Sequence, residues 1–437
     1  MQLTIEKMIY GGDGLARMPA DAKGKGKAVF VPFVLPGEQV EASLRNEKPG
    51  YAQARLEKVV TASPQRIEPN CPYFQQCGGC NYQHTDYENQ LAIKADTLKE
   101  NLRRIGKIEL SSELQIHPSP PWNYRNRARL KIRISPSFAI GYYKFASHEL
   151  LPIEKCPISS PAINEAISKL WELGRGGLFP QGMDEIEIFA DADDSQLLIE
   201  IYCDTPPVAL EKFITELQRA VPQTAGVVVF RSVRRAAPGA ELQVLANSGA
   251  TNLSYRTEHA SYQVSAGAFF QVNRHLTDEL VRLVTDGRSG ELALDLYAGV
   301  GLFSSALAKN FAQVIAVEAS PISHADLRYN LPPNVRAVRA ATEQYLVKMK
   351  VQAKMRGESA DYIVVDPPRS GLGETLVQLL GDSKAPRITY VSCDPATLAH
   401  DLRGLLAAGY NIEQAHFIDL FPQTYHVESV FHLHLAR

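Results

Sequence analysis

No run of about 18 apolar residues occurs in this chain of 437, so no membrane-spanning helix and no membrane partner are expected. The opening residues Met1-Gln2-Leu3-Thr4-Ile5-Glu6 lack the charged-then-apolar pattern of a secretory signal, and cytoplasmic residence is the default expectation. An excess of one charge is also missing. The 46 Lys and Arg residues against 48 Asp and Glu leave a formal net charge of −2, so overall charge gives no support to a nucleic-acid partner and local patches must carry that case. Cysteine is sparse, at six residues (Cys71, Cys77, Cys80, Cys156, Cys203 and Cys393), which without a secretory signal argues against a disulfide framework. What remains is a composition of globular type, 45% hydrophobic and 22% charged. The length exceeds one ordinary core, and about two to four domains are expected.

The few cysteines are unevenly placed. Cys71-Pro72-Tyr73-Phe74-Gln75-Gln76-Cys77-Gly78-Gly79-Cys80 has the spacing C-x5-C-x2-C, and its glycines let the backbone fold tightly round a metal centre. Cys156-Pro157 is the best candidate for a fourth ligand. Four thiolates fit a structural zinc or an iron–sulfur cluster, and the asymmetric three-plus-one arrangement favours a 4Fe–4S cluster. His84 reads as a satisfied histidine and Cys203 as structural.

Residues 1 to about 60 carry short strands with Gly and Pro turns, the pattern of a small β-barrel. Lys23, Lys25, Lys27, Arg45, Lys48, Arg55 and Lys58 make this segment basic, which fits either a solvated surface or a phosphate-contacting module. Leu91, Ala95, Leu98, Leu102 and Ile105 recur at helical spacing, with Gly106 as the stop. Residues 107 to about 260 read as an α+β domain. Its clearest feature is Tyr124–Arg133, where Arg125, Arg127, Arg129, Lys131 and Arg133 share one face of a strand. Cations so arranged repel one another unless an anion lies across them, which points to a polyanion site. Tyr142 and Tyr143 follow on an expected neighbouring strand, placed to stack on bases or simply to pack.

The remaining residues alternate strand and helix, which predicts a doubly wound parallel sheet. Ala293-Leu294-Asp295-Leu296-Tyr297-Ala298-Gly299-Val300-Gly301 is an apolar strand running into a glycine-rich turn before a helix. Val314-Ile315-Ala316-Val317-Glu318 is a second apolar strand, ending about 20 residues past the loop in a carboxylate suited to ribose hydroxyls. Ser304 stands where a dinucleotide fingerprint needs its third glycine, which lowers the case for NAD and favours S-adenosylmethionine. A third strand ends at Asp366-Pro367-Pro368-Arg369, and Ile388-Thr389-Tyr390-Val391-Ser392 stops at Cys393-Asp394-Pro395. Ligands of such sheets bind beyond the carboxyl ends of strands, where a thiol is well placed for chemistry.

The order of Phe269-Phe270-Gln271-Val272-Asn273, Asp295–Gly301, Asp366-Pro367-Pro368-Arg369, Ser392-Cys393-Asp394-Pro395 and His426-Val427-Glu428-Ser429 resembles the RNA 5-methyluridine methyltransferase family over essentially the whole chain. It is most similar to the bacterial members that methylate 23S ribosomal RNA. The resemblance implies a multidomain α/β chain: a TRAM-like β-barrel over 1–62, a central RNA-binding α+β domain with an iron–sulfur site over 63–262, and a class I methyltransferase domain over 263–437. It implies S-adenosylmethionine as methyl donor, held by Gln271, Tyr297, Glu318 and Asp366. It implies Cys393 as the nucleophile that adds to C6 of a flipped-out uracil and Glu428 as the general base. It also implies a 4Fe–4S cluster on Cys71, Cys77, Cys80 and Cys156. Structured RNA is the partner, with Arg125, Arg127, Arg129 and Lys131 on its backbone and no obligate protein partner. Two departures stand out: Leu302 replaces an asparagine found in several ribosomal members, and Arg339-Ala340-Ala341-Thr342-Glu343 offers no match for the asparagine after the third strand. Rival readings are a tRNA uridine C5 methyltransferase and a non-catalytic iron–sulfur RNA-binding or redox-sensing protein. A 5-methylcytosine enzyme wants a second motif thiol, and an amino-group methyltransferase wants an aromatic, where Arg369 stands.

Overall fold

The computed structural model describes residues 1–19, 26–232, 242–356 and 359–436, side chains at 351–356 excepted. Lys23 and Lys25 lie outside the described residues. No helix among the described residues is long and apolar enough to cross a membrane.

Strands Gln2–Thr4, Lys7–Met8, Asp13–Arg17, Ala28–Pro32, Gln39–Glu47 and Tyr51–Thr61 form one six-stranded sheet. Val40 and Ala42 alternate with exposed Gln39 and Glu41, the pattern of a strand with one buried face. The edge strands Gln2–Thr4 and Lys7–Met8 are consecutive in the chain, so the two edges are drawn together round a core of Leu3, Ile5, Val29, Val31 and Val40. This is the small barrel-like sheet expected, with Gln2–Thr4 and Lys7–Met8 as its two edges.

A seven-stranded sheet follows, in the order Leu150–Pro152, Ala139–Tyr143, Arg127–Arg133, Met183–Ala190, Leu197–Cys203, Thr224–Arg231 and Val244–Gly249. Ala128, Leu130, Ile186 and Ile188 turn one face toward helices Pro161–Arg175 and Leu210–Ala220. Phe189, Leu198, Tyr202 and Phe230, one residue out of phase, pack on the other face with the hairpin Asn252–Arg256/Ser261–Ser265 and the C-terminal core. Cys203 is buried, as a structural thiol should be.

The C-terminal sheet has eight strands, in the order Val335–Arg339, Phe311–Glu318, Gly290–Leu296, Tyr362–Val365, Arg387–Ser392, Glu428–Leu435, Tyr410–Ile418 and Gln115–His117. All neighbours are parallel except Glu428–Leu435, which runs against both of its partners. From Gly290–Leu296 the chain works outward to Val335–Arg339, then crosses back to Tyr362–Val365 on the other side. That reversal opens a crevice beyond the carboxyl ends of the two central strands.

One placement differs from expectation. Helix Tyr87–Asn101, capped by Asp86 through Asn89 N at 2.8 Å, and the π-helical turn Leu102–Gly106 pack Ala95, Leu98 and Leu102 into the C-terminal core. Gln115–His117 then pairs in parallel with Tyr410–Ile418. Residues 87–117, expected in the central domain, thus build onto the C-terminal unit. The apolar stripe signalled a helix but carried no information on which core it would enter.

Candidate active site

The crevice is formed by three strand ends and the loop after the first. Tyr297, Gly299 and Gly301 all have positive φ, at 66°, 56° and 97°. Gly301 has no room for a side chain, since a Cβ there would lie 2.9 Å from Leu327. Glu318 braces this turn: it accepts from Gly299 N at 2.9 Å and from Ser320 N at 2.7 Å. Each carboxylate oxygen keeps a free lone pair, so the residue can still accept hydroxyl donors. Leu302 lies in the hydrophobic core and takes no part in the crevice wall as a polar group.

Asp295, which motif reading did not assign a role, is fully buried; Ser304 Oγ donates to Oδ2 at 2.5 Å while Oδ1 has no partner among the described residues. Burial pushes its carboxyl up to about 6. Asp366, at the end of Tyr362–Val365, is pushed up to about 7 by burial and then by the nearby charge of Asp295. Gln271 is fastened to the central sheet through its backbone. Its carbonyl accepts from Asn126 Nδ2 at 3.0 Å, Asn126 N donates to Val272 O at 3.0 Å, and Arg127 Nη1 donates to Ala268 O at 2.8 Å.

Cys393 stands one residue past the strand Arg387–Ser392, and Asp394 caps the helix Pro395–Ala407 by accepting from Ala396 N and Thr397 N, both at 3.0 Å. Ser392 pairs with Ser429 at the last rung of the antiparallel ladder, so Cys393 and Glu428 are the next residues beyond that rung on the two segments, and the charge of Glu428 acts on the thiol. Sequence order alone does not give that meeting, because it depends on the reversed direction of Glu428–Leu435. The thiol is pushed up to about 12 by burial, then by Glu428 and Asp366, with Arg369 acting in the other direction. Glu428 is buried, and burial and then Asp366 hold its carboxyl well above the ordinary range, again opposed by Arg369. Arg369 Nη2 lies 3.2 Å from His426 Nδ1; burial and then Arg369 push that imidazole down to about 3. Asp401 ties the two loops together, accepting from Tyr390 OH at 2.8 Å and from Leu372 N at 2.7 Å. Motif reading assigned Asp295, Asp401 and Asn126 no role because the contacts that matter, with Asp366, Leu372 and Gln271, lie outside any local pattern.

Cys71, Cys77, Cys80 and Cys156 also meet. All four line one cavity of about 530 Å³, with Arg125 and Tyr142 in its wall. Burial pushes the Cys77 thiol up to about 11 and raises Cys71 and Cys80 as well, and the neighbouring thiols add to the effect at each. Among the described residues, no group of three or more Cys, His, Asp and Glu is gathered so as to hold a metal ion. His84 is buried in the core, with Nε2 3.2 Å from Val34 O and its ring on Phe74, but its Nδ1 has no partner among the described residues, so it is only half satisfied.

The cationic strand is corrected by the structure. Glu185 and Glu187 on the neighbouring strand lie directly opposite Lys131 and Arg129. Arg129 and Lys131 both pair with Glu185, and Arg127 Nη1 lies 3.3 Å from Glu187. Arg127 and Arg129 also stack on Phe189 and Tyr202 at 4.2 and 3.9 Å. Arg125 turns to the thiol cavity. The anions that the stripe requires are therefore internal, and Arg125, Arg127, Arg129 and Lys131 do not form the open polyanion face expected.

Residues 86–436 match the family described as tRNA (Uracil-5-)-methyltransferase, and residues 1–56 match the TRAM domain. An uncharacterized RNA methyltransferase of Aquifex aeolicus is 34% identical over 438 residues, covering 98% of this chain and 97% of that protein. One from Halalkalibacterium halodurans is 31% identical over 458 residues, covering 100% and 97%. Among solved structures, the Pyrococcus abyssi tRNA (uracil-54, C5)-methyltransferase in complex with S-adenosyl-L-homocysteine shares the fold, with a TM-score of 0.76 at 24% identity over 99% of this chain and 100% of that one.

Proposed function

The chain belongs to the tRNA (uracil-5-)-methyltransferase family and is an S-adenosylmethionine-dependent RNA methyltransferase; from that premise we propose that Cys393 is its nucleophile, Glu428 its base, and 23S ribosomal RNA its substrate. Gln271, Tyr297, Glu318 and Asp366 are the proposed donor-site residues. The observation that carries this reading is the crowding of a thiol and two acids, Cys393, Glu428 and Asp366, at one sheet edge with Arg369 as the cation acting on the thiol and on Glu428. When bound, the donor supplies a methyl group on a positively charged sulfur, the charge this acidic pocket lacks.

Uracil C5 is a weak nucleophile until C6 is saturated. The Cys393 sulfur bonds to C6, its proton passing to a neighbouring carboxylate whose affinity for protons burial has raised. The electron pair of the C5=C6 bond moves into the ring as an enolate. C5 then takes the methyl group, and the donor sulfur leaves as a neutral thioether. Glu428 removes the C5 proton, the double bond reforms, and Cys393 departs as thiolate to recover its proton. Because reaction at C6 needs the base out of its stack, loops with unpaired uridines suit the site best.

A second reading, a tRNA substrate, is favoured by the match of the whole chain to the archaeal tRNA enzyme. Mapping 5-methyluridine in total RNA from cells lacking the protein tests both. Loss from 23S RNA supports the first reading, loss confined to tRNA supports the second, and an unchanged map removes both.

We further propose that Cys71, Cys77, Cys80 and Cys156 hold a 4Fe–4S cluster. A single tetrahedral zinc, with Zn–S bonds of about 2.3 Å, needs its sulfurs in close contact, whereas a cluster interposes iron atoms and spreads them. Arg125 supports an anionic occupant: its guanidinium lies in the cavity wall with a buried Nε that has no partner among the described residues. Anaerobic purification should give a brown protein with iron and sulfide; a colourless, zinc-bearing protein overturns the cluster.

A further inference from the structure

Tyr10 of the N-terminal unit reaches the turn that bears Cys393. Tyr10 opens the turn Tyr10-Gly11-Gly12-Asp13, and its hydroxyl lies 3.5 Å from the carbonyl oxygen of Cys393, across 383 positions of sequence. Asp394 lies near the same hydroxyl; burial and then Asp394 raise its pKa far above that of a free phenol, so it stays protonated. The ring meets Tyr425 edge-on, with centroids 5.6 Å apart at 84°. Tyr425 in turn packs on His426 at 4.3 Å, two residues before Glu428. Tyr10 therefore touches both halves of the site, the turn that bears the thiol and the loop that leads to the base.

The turn is built to deliver that side chain. Gly11 and Gly12 have φ of 108° and 90°, a conformation other residues rarely adopt. A Cβ on Gly12 would lie 3.1 Å from Asn81. Asn81 N donates to Gln423 O at 2.8 Å and Tyr425 N donates to Asn81 Oδ1 at 3.4 Å, so the turn, residues 81–82 and the segment before Glu428 form one continuous layer.

We propose that Tyr10 is a positioning residue for Cys393, so that the barrel completes the reaction centre in addition to any hold it has on RNA. The inference rests on the reading of Cys393 as nucleophile. With its carbonyl held from outside, the Cys393 turn keeps one orientation, and the sulfur is presented at a fixed angle to C6. Attack at C6 is sensitive to small displacements, so loss of the tether slows adduct formation without weakening binding. A structural role alone would lower stability or RNA affinity and leave the step at C6 untouched.

The experiment uses full-length protein with in vitro transcribed 23S RNA and tRNA, taking forward whichever accepts methyl groups. Tyr10→Phe keeps the ring and removes the hydroxyl. Single-turnover methyl transfer and covalent adduct formation should each fall about five- to tenfold, with RNA and donor Kd within about twofold of wild type and Tm unchanged. Tyr10→Ala should lose more in the same two rates. Unchanged rates in Tyr10→Phe overturn the proposal. So does a loss confined to RNA affinity, which would make Tyr10 an RNA contact, or a drop in Tm that accounts for the lost rate. Cys393→Ala run alongside separates the two claims: activity in that variant sinks the nucleophile assignment itself, while an inactive Cys393→Ala with a fully active Tyr10→Phe sinks only the tether.

Discussion

Two clusters of like charge stand out in this protein, and the fold treats them in opposite ways. On the strand Arg127–Arg133, Arg127, Arg129 and Lys131 each have a carboxylate on the next strand within pairing distance. At the crevice, Asp295, Asp366, Glu428 and Cys393 are brought together, and Arg369 is the cation that acts on both Glu428 and the thiol. The cations of the first cluster have their counter-charges inside the fold, although Arg127 keeps two buried nitrogens without a hydrogen-bond partner among the described residues. In the second, burial and mutual repulsion raise the proton affinity of the acids, and an incoming cation, which a sulfonium donor is, would offset that repulsion. Uncompensated charge marks a site; charge that a neighbouring strand compensates marks architecture.

The strongest way to break this contrast is at the thiol. Cys393→Ala should abolish methyl transfer, a loss of more than about a thousandfold, while donor affinity measured by calorimetry stays within a few-fold of wild type. Residual full turnover would remove the crevice from the chemistry. Glu428→Gln is next. It should slow release by about a hundredfold or more and let a covalent RNA–protein adduct build up on denaturing gels, because the C5 proton then has no acceptor. Absence of adduct with turnover equally impaired would move the base elsewhere.

The acid cluster itself can be probed through stability. With its carboxyl pushed up to about 7 in the folded chain, Asp366 favours the fold when protonated. Its contribution is full below the unfolded value of about 4 and is lost as pH rises through the folded value. Asp366→Asn should therefore raise Tm by a few degrees at pH 8 and change it little at pH 4. The reverse pH trend would mean that the carboxylate is compensated after all, and the contrast between the clusters would collapse. The smallest effect is expected on the paired strand. Arg129→Ala with Lys131→Ala should leave RNA affinity within about twofold and the salt dependence of binding unchanged. A fall of about two in the salt slope would show that these cations reach phosphates despite their carboxylates.

Much of the crevice was legible in the sequence because each of its parts lies at a local signal. A strand that ends in Glu318, another that ends at Asp366-Pro367-Pro368, and a third that stops at Cys393-Asp394-Pro395 each declare a sheet edge without reference to anything else. The barrel was legible for the same reason, in alternation such as Val40 and Ala42 against Gln39 and Glu41. The Arg125–Arg133 stripe was read correctly as a shared face for Arg127, Arg129 and Lys131 and wrongly as an open one, and Arg125 leaves that face for the thiol cavity. Its partners, Glu185 and Glu187, sit more than fifty residues on, and nothing in the local pattern sets the register that aligns them.

The sequence by itself determined which residues end strands, which turns need glycine and which chemistry-bearing groups the chain carries, since these follow from backbone sterics and side-chain alternation within a few residues. Only the tertiary structure decided that residues 87–117 build onto the C-terminal unit, that Glu428 and Cys393 meet just past the last rung of one ladder, and that Tyr10 arrives at the Cys393 turn from the other end of the chain. It also decided which charges stay unpaired. Coulomb energy and desolvation depend on separation and burial in space, and a linear pattern fixes neither.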